Sequence, residues 1–146
     1  ENIITPKINE FTTNMSWFVY VIRLDLNWIS KIVNIPNWVK KLDIPLKINK
    51  ENLDEWESII KSIKRVLNKF IEKLNKKGVQ SKNYFTPVHL QPFYKEKWNY
   101  GLGDLPVTEL ISSLTIAIPF YTSIDKEDQD IVHKKVLEVM EELENE

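Results

Sequence analysis

"NLDEWESIIKSIKRVLNKFIEKLNKKGVQSKNYF", residues Asn52 to Phe85, joins two periodicities through one glycine. Leu53, Trp56, Ile60, Ile63, Leu67, Phe70, Ile71 and Leu74 recur at steps of three and four, which places them on one face of a helix from Asn52 to Asn75. Asn52 followed by Glu55 has the form of a capping box, and Lys73, Lys76 and Lys77 suit the negative end of the helix dipole. Gly78 stands where a left-handed residue closes a helix. "VQSKNYF" then reads as a short strand, Val79 to Phe85, ended by Pro87 because proline has no N–H to give a ladder.

Upstream, "WFVYVIRL" (Trp17 to Leu24) is aromatic and β-branched over the length of a central strand. Asn2 to Asn14 is polar. Between Asp25 and Lys50, Pro36 and Pro45 cut the chain into short apolar and basic pieces, with a helical turn expected at Ile29 to Val33. Downstream, Val88 to Gly103 reads as a loop with one helical turn, and Asp104 is expected to cap a helix entered through Pro106 and running from Val107 to Ser113. "TIAIP" (Thr115 to Pro119) is a third short strand. A closing helix from Lys126 to Glu142 carries Ile131, Val132, Val136, Val139 and Met140 as its apolar residues. This order predicts an α+β fold: a small, three- to four-stranded, mainly antiparallel sheet with helices packed on one side.

The 146 residues suffice for one domain with its own core, and 42% hydrophobic with 28% charged residues are the proportions of a globular protein. No apolar run approaches the length of a membrane span. Twenty basic against 21 acidic residues leave a net charge of -1, which supplies no field to recruit nucleic acid. The absence of cysteine removes disulfides, thiolate nucleophiles and Cys-type zinc sites, and points to an intracellular, cytoplasmic protein. The chain begins at Glu1 rather than Met, so it is expected to be an excised segment.

Few residue types remain to carry chemistry. Two histidines without HExxH spacing do not predict a metal site, and His133, beside Lys134 and Lys135, reads as a surface residue. Three glycines cannot make a P-loop or a dinucleotide fingerprint, so Gly101 and Gly103 read as a tight turn before a helix. The basic positions Lys61, Lys64, Arg65, Lys69, Lys73 and Lys76 read as a solvated helix face, with an acidic partner as the alternative. Trp28, Trp38, Trp56 and Trp98 stand partly outside any strong period and mark either core or interface. His89, in "VHLQPFY", is a ligand contact or a residue that bonds its own turn.

Taken together, "GVQSKNYFTPVHLQPFY", "GDLPVTELISSLTIAIPFY" and the Ser-Ile-Asp-Lys-Glu-Asp helix start resemble the C-terminal end of the DegT/DnrJ/StrS family of pyridoxal-phosphate-dependent sugar aminotransferases. Each piece is weak alone, and their order and spacing give the resemblance its specificity. "SWFVYVIRLD" (Ser16 to Asp25) is similar to the strand that opens the family's small domain. The resemblance covers residues 1–25 and about 60–142.

The resemblance implies a C-terminal small domain of a fold-type I aminotransferase, residues 1–146, with an insertion at about 26–58. The parent protein would move an amino group from an amino acid such as glutamate to a nucleotide-linked keto-sugar. Its large pyridoxal-phosphate (PLP) domain, with the Schiff-base lysine, would precede Glu1, and the full-length protein would be a homodimer. No catalytic, cofactor-binding or metal-ligating residue is assigned to this chain, and the fragment alone is expected to be inactive. By motif position His89, Gln91, Tyr84 and Lys82 are the expected substrate contacts. At Lys82 the family often has Arg, so the charge is kept but the planar fork is lost. The alternative is a stand-alone interaction module that uses the insertion's tryptophans.

Overall fold

The computed structural model describes residues 2–40 and 48–146; the expected break at Pro45 lies outside them. Four antiparallel strands, β1 (Ile3–Ile4), β2 (Tyr20–Leu24), β3 (Lys82–Asn83) and β4 (Thr115–Ile118), form one sheet in the order β1-β2-β4-β3. Tyr20 pairs with Ile118 and Arg23 with Thr115, so β2 and β4 are the central pair. Alternation then divides the sheet. Ile22, Leu24 and Ile116 are buried among helices, whereas Ile4, Val21, Arg23 and Ala117 on the other face are only half-buried. Helices on one side of a small antiparallel sheet are the architecture expected from the sequence.

The dominant helix, α3 (Leu53–Lys76), buries Trp56, Ile59, Ile60, Ile63, Val66, Leu67, Phe70 and Leu74. Its C-terminus is a Schellman motif. Gly78 takes φ +85, its N–H bonds Asn75 O at 3.0 Å, and Val79 N–H bonds Leu74 O at 3.0 Å. That closure explains why the strand expected at Val79 to Phe85 is cut to two residues. Val79 enters the core beneath the helix end, and the Asn75 side chain takes both Ser81 N–H (2.9 Å) and Ser81 O (3.2 Å). The backbone groups that a longer ladder needs are already paired. At the other end the expected capping box does not form, because Asn52 Oδ1 accepts from Asn49 N–H at 2.7 Å.

The stretch after β2 is more regular than a single helical turn. Asp25 Oδ1 accepts from Asn27 N–H at 2.7 Å and starts α1 (Leu26–Ile32); α2 (Asn37–Lys40) follows Pro36. Trp28 is fully buried edge-on to Phe70, with centroids 6.0 Å apart, and Trp38 packs on buried Trp56 at 6.1 Å. These tryptophans are core. The short edge strand β1, absent from the expectation, pairs Ile3 with Leu24.

Lys69 and Lys73 of α3, and Lys77 just after it, face Glu146, Glu142 and Glu138 in antiparallel register along the closing helix α6 (Lys126–Glu144) and just beyond it, at 2.8–3.3 Å. Part of the basic face thus meets an acidic partner within its own chain. Lys61 and Lys76 pair within α3, with Glu57 and Glu72. Hydrogen bonds from Lys69 and Lys73 hold the Glu146 carboxyl down at about 2, and those from Lys77 and Lys73 lower Glu142. A carboxyl lowered by folding stabilises the fold above its ordinary value and ceases to do so as it is protonated. The thermal midpoint is therefore expected to fall as pH drops from 4.5 toward about 2. The fall should be shallower in Glu146→Gln and in high salt, because these pairs are exposed and screened. Equal slopes for the variant and the parent chain would show that the seam contributes nothing.

Candidate functional site

The expected site residues lie on the segment that runs from β3 into β4. Lys82 is exposed on β3. Tyr84 is half-buried just beyond it, with its N–H 3.3 Å from Thr115 O and its carbonyl accepting from Thr115 Oγ1 at 2.7 Å. A 3-10 turn at Val88–Leu90 carries His89, and α4 (Pro92–Trp98) begins after Gln91. The exposed Gln91 caps that helix through its backbone, its carbonyl accepting from Tyr94 N–H at 3.0 Å and Lys95 N–H at 3.1 Å. Among the described residues no hydrogen bond joins any two of Lys82, Tyr84, His89 and Gln91.

His89 is 5% exposed, and its partner is neither solvent nor its own turn. Nε2 lies 2.9 Å from Oε1 of Glu109, which is 1% exposed on α5 (Pro106–Ser112). The same carboxylate accepts Trp56 Nε1–H from α3 at 2.6 Å. It also accepts Gly103 N–H, 2.9 and 3.0 Å from the two oxygens, and Leu105 N–H at 3.3 Å. A buried carboxylate is costly unless its lone pairs are filled, and here four donors from three parts of the chain fill them. Because those donors occupy both oxygens, the imidazole donates through Nε2–H. Nδ1, on the other side of the ring, is buried and has no hydrogen-bond partner among the described residues, and the ring meets Tyr100 edge-on at 6.0 Å.

Sequence reading placed the cap of α5 on Asp104. That carboxylate instead accepts Gly101 N–H at 2.7 Å, and Glu109, one turn into the helix, reaches back to the amides that precede it. Gly103 makes this possible. Its φ is +94, and a Cβ there would lie 2.9 Å from Leu53 Cδ1. The signal missed was that Glu109 shares the inward face of α5 with Pro106 and Leu110, where a carboxylate must have internal partners. His133, as expected, is exposed, and among the described residues no His, Cys, Asp or Glu cluster is arranged for a metal ion. Among them, too, no helix is long and apolar enough to cross a membrane.

The residues of this network, Trp56 to Glu109, lie within the stretch that a family model matches. The model of the DegT/DnrJ/EryC1/StrS aminotransferase family matches residues 39–137, and the chain belongs to that family. It is similar to the uncharacterized protein MJ1066 of Methanocaldococcus jannaschii, 36% identical over 72 residues, 47% of this chain and 19% of that protein. It is also similar to the spore coat polysaccharide biosynthesis protein SpsC of Bacillus subtilis, 30% identical over 57 residues, 39% of this chain and 15% of that protein. The aligned stretch is thus less than a fifth of either relative's length.

Replacing Glu109 by Ala would leave Trp56 Nε1–H, His89 and two amides without their acceptor inside the fold. The expected loss is about 3–5 kcal/mol of unfolding free energy. In a denaturant double-mutant cycle, His89→Ala on the Glu109→Ala background is expected to cost at least about 1 kcal/mol less than on the parent chain. Additive losses would mean that the two residues act independently.

Proposed function

We propose that this chain is the C-terminal small domain of a PLP-dependent aminotransferase that passes an amino group from an amino acid such as glutamate to a nucleotide-linked keto-sugar. Residues 1–146 form that domain, the stretch from about 26 to 58 is an insertion into it, and the intact protein is a cytoplasmic homodimer. The observation that carries the reading is the union of the two motif pieces. His89 of "VHLQPFY" and Glu109 of "GDLPVTE" are twenty positions apart and meet at 2.9 Å, within the span that the family model matches. SpsC, named for polysaccharide biosynthesis, supports a sugar as acceptor.

Members of this family generally depend on PLP, but the described residues of this chain do not fit that group. Every described lysine is exposed or half-buried at the surface, and the less exposed Lys73 and Lys77 are paired with glutamates. Among the described residues the one buried acidic side chain, Glu109, has its oxygens filled and offers nothing to a pyridinium nitrogen. The cofactor and its Schiff-base lysine, in this reading, belong to a large domain outside this chain. In this reading Lys82, Tyr84 and Gln91 present polar groups toward substrate. His89, with Nε2 given to Glu109 and Nδ1 buried, holds the loop in place.

One surface feature supports a larger parent protein. Helix α4 has no buried residue, and it presents Phe93 and Trp98, 58% and 50% exposed, as a cluster with Tyr94 and the Lys97 ammonium. An exposed aromatic group of this kind is ordinarily covered by another part of the assembly. The rival reading, an interaction module using the insertion's tryptophans, is less well supported, since Trp28 is buried and half-buried Trp38 packs on Trp56.

The intact protein, supplied with PLP and glutamate, is expected to convert a nucleotide-linked keto-sugar to its amino sugar, as seen by mass spectrometry. The 146-residue chain should do neither this nor bind PLP stoichiometrically. A visible band of one PLP per isolated chain, abolished by changing a single lysine, would overturn the proposal.

A further inference from the structure

Between the β1–β2 side of the sheet and α6 lies a groove of about 700 Å³, lined in large part by Ile22, Ile118, Val136 and Met140. Leu137, on its α6 wall, is 45% exposed, so this apolar lining is open to water. Two further lining residues, Thr5 and Tyr20, are the ends of the connection between β1 and β2. Among the described residues, none of those between them lines the groove. That connection nevertheless carries Ile8, Phe11, Met15 and Phe18, which are 57%, 85%, 46% and 81% exposed. Single exposed apolar side chains are ordinary, but four in one short connection beside an uncovered apolar groove are two surfaces of matching chemistry.

The backbone joins these surfaces at a hinge. Ile3 pairs with Leu24 and Ile4 with Arg23, so continuing the register sets Thr5 opposite Ile22 at the groove. Pro6 has no N–H for the next rung, and the chain leaves the sheet there. The returning end is pinned by aromatic contacts, Trp17 to Tyr20 at 5.7 Å and Tyr20 to Phe120 at 6.5 Å. Phe11 stands at the far turn, where Asn9 Oδ1 accepts Phe11 N–H at 3.0 Å and Asn9 O accepts Thr12 N–H at 2.9 Å. From Thr5 to Phe11 the chain spans up to about 20 Å when extended. The α6 wall from Lys126 to Met140 is also about 20 Å long, so the turn can reach along the whole groove. Both ends of the connection are already fixed side by side, which keeps the entropic cost of folding it over small.

We propose that residues 6–19 are a flap that closes over this groove, laying Phe11 and Phe18 against Val136, Leu137 and Met140. The structure described here is the open form. An apolar molecule that enters the groove competes with the flap, so its apparent affinity is reduced by the fraction of chains that are open. The test uses the 146-residue chain. NMR cross-peaks are expected between the ring protons of Phe11 or Phe18 and the methyl groups of Val136, Leu137 or Met140, and dilution should not weaken them relative to other cross-peaks. The uncharged fluorescent probe N-phenyl-1-naphthylamine is expected to bind about tenfold more tightly when Phe11→Ser and Phe18→Ser are combined than in the unaltered chain. Leu137→Asp, added to that pair, should abolish the gain. Cross-peaks that vanish on dilution would place the flap in the groove of a second copy and overturn closure within one chain. Absent cross-peaks, equal probe binding with and without the paired substitutions, or a gain that survives Leu137→Asp would each overturn the flap.

Discussion

The carboxylate of Glu109 is the constraint on which the rest of the domain depends. It sits where three pieces meet: the first turns of α3 through Trp56, the Val88–Leu90 turn through His89, and the approach to α5 through the amides of Gly103 and Leu105. None of these pieces is anchored by a long β-ladder, since β3 contributes only Lys82 and Asn83. A charge-assisted network is a costly way to join them, and removing one member leaves the others buried without partners. What it fixes is position. The loop between β3 and α5, which carries most of the residues expected to meet substrate, is held at Tyr84 by Thr115 and, further along, by the Glu109 carboxylate.

That arrangement changes the meaning of the family motifs. His89 looked like a residue offered to a ligand, because the chain has only two histidines and this one lies between two prolines. Its Nε2–H instead holds Glu109, and the polar groups that remain at the surface nearby are Lys82, Tyr84 and Gln91. The helix-free sheet face adds Arg23, which stands in the same row as Tyr84. The aromatic cluster of α4 also faces outward from this chain.

Much of the fold was legible from strong local signals. The 3-4 spacing from Trp56 to Leu74 and the glycine at 78 defined α3 and its end, and "YVIRL" and "TIAI" defined the central strand pair. What was not legible depended on side chains acting at a distance. The strand expected at Val79 to Phe85 was shortened because Asn75 captured Ser81, a contact that no propensity encodes. Ile3 and Ile4 showed no period of their own and became a strand only because β2 offered an edge. Glu109 was read as one letter of a helix-start motif, since acids in a first turn ordinarily complement the dipole.

Amide and indole hydrogen exchange followed by NMR tests the central role of Glu109 most directly. If its carboxylate joins α3, the His89 turn and α5 into one cooperative unit, the indole proton of Trp56 and the amides of Gly103 and Leu105 will exchange together, at the slow rate set by global unfolding. Fast exchange of Gly103 and Leu105 while the α3 core amides stay protected would contradict this, because the loop would then open without breaking the fold.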